Sequence, residues 1–155
     1  MPDSPQQRLE SLGLVLPTVG PPAGLYKPCL VVSGLAYVSG HLPLLPDGSL
    51  IKGRVGADLD ADAGKAAARQ VGLAILATLI HHLGSLDRVG RVVRLLGMVN
   101  CTPEFDRQPY VVNGCSELFA EIWGPDRGVG VRSAAGFAAL PAQVAVEAEA
   151  VFELA

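Results

Sequence analysis

The sequence predicts an α+β fold: one mainly antiparallel sheet with two helices on one face. Three observations carry this. Two long segments repeat apolar residues at helical spacing and five shorter ones are strand-like, in the order ββ-α-β-α-ββ. The final segment alternates strictly, with Val144, Val146, Ala148, Ala150 and Phe152 on one face and Glu147, Glu149, Val151 and Glu153 on the other. Half of the 155 residues are hydrophobic and only 17% are charged. Two helices cannot cover both sheet faces, so the remaining cover is expected from other subunits. The length suits a single domain.

The elements follow in order. Ser4-Pro5, with Leu9, Leu12 and Gly13, predicts a short capped helix within an N-terminal extension, residues 1–23. Thr18 to Gly24 is rich in Pro and Gly and reads as loop. Cys29–Ser33 and Leu35–Ser39, separated by Gly34, read as a hairpin. Asp60 or Asp62 caps a helix running to about Leu83, with Ala67, Val71, Ala74, Ile75, Thr78 and Leu79 as its buried stripe and Gly84 as its stop. In Arg91–Val99, Val93, Leu95, Gly97 and Val99 share one face, and Val92, Arg94, Leu96 and Met98 the other. Pro109 opens a second helix to Trp123, buried through Val112, Cys115, Phe119 and Ile122 and closed by Gly124. Val129–Ala139, a Leu140-Pro141 turn and Val144–Leu154 complete the chain.

Charge and motifs narrow the function. Net charge is −3, and Arg88, Arg91 and Arg94 are the nearest thing to a basic stripe, so nucleic acid is not the expected partner. Met1 to Glu10 is polar and unlike a signal peptide, and Gly, Arg or His interrupts each apolar stretch short of a membrane span. Cys29, Cys101 and Cys115 lack metal spacing and read as buried thiols of a cytoplasmic protein. No phosphate loop, GxGxxG, GxSxG, HExxH or CxxC occurs. His81 and His82 are adjacent on a helix and point apart, so they form no metal pair. No cofactor or metal is expected.

Arg132 is the sole charge in Gly128–Leu140, a strand segment of small and apolar residues. A guanidinium there requires an anion, either a protein carboxylate or a ligand carboxylate held bidentately. If Leu140 to Gln143 make a four-residue turn, Arg132 lies opposite Val151, with Glu147 on the same face and about 13 Å along the strand. Glu147 then either approaches a shared ligand or belongs to a solvated strand face with Glu149 and Glu153.

Taken together, Ser39-Gly40-His41-Leu42-Pro43, Arg132-Ser133-Ala134, Leu140-Pro141 and Val146-Glu147-Ala148-Glu149 resemble signatures of the Rid family, the RidA or YjgF type also labelled endoribonuclease L-PSP. Tyr26 and Asn113 match its pocket tyrosine and asparagine. The resemblance covers about Gly24 to Leu154. It implies a chorismate-mutase-like sandwich, residues 24–155, assembled as a homotrimer with three inter-subunit clefts. It also implies hydrolysis of reactive 2-imino and 2-enamino acids to 2-keto acids and ammonia. By the same resemblance Arg132 holds the substrate carboxylate and Glu147 orients or deprotonates water. Tyr26, Ser39 and Asn113 shape the pocket, and the backbone at Ala134 donates to substrate.

Three departures stand out. His41 replaces the usual Gln, Ala134 stands where many members carry Cys, and the Asn100–Val112 region and the N-terminus are longer, as in a longer subgroup. A trimer that binds a small carboxylate without turnover is the alternative. Ribonuclease activity fits less well, since a basic groove and a His acid–base pair are missing.

Overall fold

The computed structural model describes residues 4–155. It begins with α1, Pro5–Ser11, opened by a capping box: the Ser4 hydroxyl accepts from the Gln7 backbone and the Gln7 side chain from the Ser4 backbone. The hairpin β1, Cys29–Val32, and β2, Leu35–His41, turns at Ser33-Gly34, both at positive φ. The long helix α2, Ala61–Leu83, is capped by Asp60 and stopped by Gly84 in the left-handed region. After it come β3, Val89–Asn100, and α3, Gln108–Arg127. Gly124 (φ 85°) interrupts α3 after Trp123, where the sequence places its end. Strands β4, Val131–Phe137, and β5, Val146–Leu154, finish the chain.

The five strands form one mixed sheet in the order β1-β2-β5-β3-β4. All pairs are antiparallel except β3 with β4. This corrects the expected hairpin between the last two strands. β3, α3 and β4 form a βαβ unit, and a helical crossover returns the chain parallel to its start. β5 then fills the place between β2 and β3, so β3 separates β4 from β5.

Both long helices pack on one face. The predicted stripe of α2 is buried throughout, as are Val112, Cys115, Phe119 and Ile122 of α3. Phe119, Trp123 and Phe152 meet with ring centroids 5.6 Å apart in each pair. The helix face of β3 is Val92, Leu95, Gly97 and Val99, all buried. Val93 is only half-buried because a bulge between Val92 and Arg94 adds one residue against β5 and moves Val92 onto the helix side. The extension adds to the same core: Leu9 is buried and Arg8 Nη1 donates to the Ile122 carbonyl at 3.2 Å.

By length and composition alone α2 does contain a membrane-span window, contrary to the expectation from sequence. Within the fold, 67% of that window is buried between the sheet and α3, which accounts for its apolar character. The three cysteines are free and buried.

The α2–α3 contact depends on glycine. A Cβ on Gly114 would collide with the Lys65 carbonyl, and one on Gly72 would sit 2.8 Å from Leu118 Cδ2. Lys65–Glu117 (3.0 Å) and Arg69–Glu121 (2.8 Å) flank the crossing at the surface. Gly114→Ala is expected to force the helices apart and to cost about 1–3 kcal/mol, despite the better helix propensity of Ala. Urea unfolding, read as a lower midpoint at unchanged slope, checks this.

Candidate functional site

Arg132 lies on β4 beside Leu95 and points to the helix side. Its Nη1 donates to Ser116 Oγ at 3.0 Å and its Nη2 to the Pro109 carbonyl at 3.1 Å, both on α3. These partners are neutral. Among the described residues no carboxylate lies within 4.0 Å of the guanidinium. Asn113 and Ser116 line the same cleft, about 290 Å3, together with Gly128, Val129 and Gly130. Gly130 is required there, because a Cβ would approach the Val92 and Val93 carbonyls to 2.7 Å. Ala134 follows two residues along β4, in register with Gly97. Beneath the cleft, burial pushes the Cys115 thiol up to about 12, against the opposing field of Arg132. Cys115 is therefore a thiol at neutral pH and no nucleophile.

A second group gathers around the end of β2. Glu147 pairs in register with Met98, on the face that the helices leave open. Its carboxylate occupies the space a Cβ on Gly40 would need. Burial, reinforced by the neighbouring Glu149 charge, raises its pKa above the ordinary carboxylate value. Ser39 Oγ donates to the Lys27 carbonyl at 2.6 Å. Tyr26 is exposed on the preceding loop and, with Gly40 and His41, lines a cleft of about 240 Å3 between that loop and α2.

The structure thus sets Arg132 and Asn113 in one cleft, with Ala134 two residues on along β4, and keeps Glu147 apart, packed on Gly40 next to Ser39, while the cleft lined by Tyr26 faces α2. The inference that Arg132 faces Val151 across a hairpin, on Glu147's face, is overturned. Arg132 aligns with Leu95 and Glu147 with Met98, on opposite faces and two strand spacings apart. Their backbones are about 14 Å apart at ordinary strand dimensions. The part that Ser116 plays under Arg132, and the close approach of Gly40 to Glu147, are contributions that the sequence reading does not assign. Ser116 had a signal, since it follows Asn113 by three residues and so shares its helix face.

A mixed sheet backed by two long helices places the chain among the α+β sandwiches of the chorismate-mutase-like kind. It belongs to the family described as "YjgF/chorismate mutase-like, putative endoribonuclease", which it matches over residues 6–141. It is 42% identical over 147 residues to Protein TCP17 of Trypanosoma cruzi, covering 94% of this chain and 91% of that one. Its fold is similar to that of Atu1372 from Agrobacterium tumefaciens, a protein of unknown function, with TM-score 0.87, 37% identity and coverage of 97% and 94% of the two chains. A "putative endoribonuclease" from Shewanella oneidensis gives TM-score 0.93 at 31% identity, covering 98% and 100%. RidA from a Psychrobacter species gives only 0.60 at 26% identity, covering 89% and 93%. These values set the chain nearer the first two structures than that RidA.

Two expectations concern stability. Arg132→Ala removes hydrogen bonds to groups that water can reach, so the loss is expected to stay near 1 kcal/mol. A much larger drop in Tm would mean that Arg132 is a structural tie. Glu147 has a folded pKa above its unfolded one, so its favourable linkage is present below the unfolded value and is lost as pH rises through the folded value. Glu147→Gln is therefore expected to match wild type in acid and to be the more stable of the two at neutral pH. Thermal melts across that range test the sign.

Proposed function

We propose that the chain hydrolyses reactive 2-imino and 2-enamino acids at clefts between copies of itself, arranged as a homotrimer. The observation that supports this best is the half-buried Arg132 guanidinium with only neutral partners. A guanidinium has more N–H donors than Ser116 and Pro109 occupy, and their planar fork suits a carboxylate. The resemblance to the Rid family suggests the reaction class. The opposite placement of Arg132 and Glu147 supports a shared site, because one copy alone offers a carboxylate clamp without a base.

In this reading Arg132 of one copy holds the substrate carboxylate, helped by Asn113 and the Ala134 backbone. Glu147 of the neighbour takes a proton from water as the water oxygen bonds to the imine carbon. The nitrogen takes that proton to give an amino alcohol; Glu147 then relays the new hydroxyl's proton to the nitrogen, the remaining carbon–nitrogen bond breaks as the carbonyl forms, and a 2-keto acid and ammonia leave. The raised pKa of Glu147 suits a residue that accepts and returns a proton. The family resemblance assigns Tyr26 and Ser39 to the same pocket. The open sheet face carries Leu30, Val32, Tyr37, Val131 and Phe137, each at least 38% exposed, which favours burial against further copies.

Freshly generated iminoalanine, with pyruvate release read through lactate dehydrogenase, tests the reaction. Wild type is expected to outpace spontaneous hydrolysis. Unchanged rates, with pyruvate still bound in calorimetry, would instead make the protein a carboxylate binder. Glu147→Gln keeps shape and loses the base, so kcat is expected to fall about 10²–10⁴-fold while affinity holds. Arg132→Ala is expected to weaken pyruvate binding by about 30- to 5,000-fold, corresponding to roughly 2–5 kcal/mol, and Arg132→Lys by most of that. A monomer at micromolar concentration in sedimentation would contradict the shared cleft.

A further inference from the structure

Two residues fit their surroundings poorly in the sequence. Thr78 puts a hydroxyl into the apolar stripe of α2 and is 4% exposed. His41 is the last residue of β2, half-buried, where burial lowers its pKa against the pull of the Ser39 carbonyl. The fold brings them together: His41 Nε2 lies 2.7 Å from Thr78 Oγ1, and His41 Nδ1 lies 2.6 Å from the Ser39 carbonyl oxygen.

These contacts determine the proton positions. A carbonyl can only accept, so Nδ1–H donates to Ser39. In the neutral ring Nε2 then accepts from the Thr78 hydroxyl. Burial favours that neutral ring, and the neighbouring His82 acts in the same direction. Both ring nitrogens are used, and the buried hydroxyl has its partner.

What they hold is a bulge. Val38 pairs with Ala150 and His41 with Ala148, so β2 spends one more residue than β5 over this stretch, at Ser39-Gly40. Gly40 of that bulge is the residue against which the Glu147 carboxylate packs. Ser39 is tied on its other side, with its N–H donating to the Pro28 carbonyl at 3.0 Å and its hydroxyl to that of Lys27.

We propose that His41 is a positioning residue: it bridges the Ser39 carbonyl and the Thr78 hydroxyl, and so fixes the β2 bulge that seats Glu147. His41 touches no reacting atom. It anchors the bulge to α2, and the bulge keeps water from one side of the carboxylate. Only the kinetic consequence rests on the proposed reaction; the seat itself can be read without it.

The test is an NMR titration of the Glu147 side-chain carboxyl in the full-length protein. Wild type is expected to titrate above the ordinary carboxylate value. In His41→Ala and Thr78→Val the midpoint is expected to move down toward that value, as the bulge loosens and water enters. His41→Gln is expected to restore it, because an amide N–H can donate to Ser39 while its oxygen accepts from Thr78. If wild type hydrolyses imines, the two loosened variants should lose about tenfold or more in kcat with KM nearly unchanged. An unmoved Glu147 midpoint in folded His41→Ala overturns the proposal. Should that variant fail to fold, an unmoved midpoint in Thr78→Val, which removes only the hydroxyl, does the same. Wild type without imine hydrolysis removes the proposed reaction and leaves the titration to decide the seat.

Discussion

A five-stranded sheet has two faces, and here α2 and α3 cover one of them. Arg132 and Glu147 are placed by that asymmetry. Arg132 points to the covered side and rests on α3 through Ser116 and Pro109. Glu147 points to the open side and rests on Gly40. Between them stands β3, hydrogen-bonded to β4 on one edge and to β5 on the other. A rigid sheet cannot fold one group round to the other, so one copy does not bring them into a single cleft, and the proposed reaction draws them from different copies.

Electrostatics agree with this division. Arg132 has two neutral acceptors and, among the described residues, no carboxylate within 4.0 Å, although Glu117, paired with Lys65, lines the same cleft; its charge is left available to an incoming anion. Burial and the Glu149 charge raise the Glu147 pKa above the ordinary carboxylate value, which makes it a stronger base than an ordinary carboxylate. Brought to one cleft, the first suits a substrate carboxylate and the second suits proton transfer. Small residues make both positions possible: Gly130 lets β4 approach β3 closely, and Gly40 makes room for the Glu147 carboxylate.

Much of the fold was legible locally. Ser4-Pro5, Asp60 with Gly84, and Gly124 all mark helix ends by chemistry within a few residues, and each lies where the sequence puts it, while the reciprocal Gln7 bond to Ser4 comes from the structure. The alternation of β5 revealed its two faces. Long-range facts were not legible. Nothing near Arg132 says that β4 runs parallel to β3, because that follows from the crossover through α3. The bulge that moves Val92 to the helix side breaks strict alternation with no Gly or Pro at Val92–Arg94 to announce it. The site residues were legible as a set through the family resemblance, but not their separation. His41 and Thr78, 37 positions apart, explain one another only once α2 lies under β2.

The central claim is that a complete site takes Arg132 from one copy and Glu147 from another. Its most direct test mixes two inactive proteins, Arg132→Ala and Glu147→Gln, unfolded together and refolded at equal amounts, with imine hydrolysis as the readout. Random assembly makes about one quarter of the clefts wild type at both positions if each cleft draws on two subunits. The account therefore predicts that activity returns to about a quarter of the wild-type level, while neither variant refolded alone recovers. A mixture as inactive as its components, under conditions where wild type refolds to full activity, would show that each copy relies on its own Arg132 and Glu147 and would contradict the account.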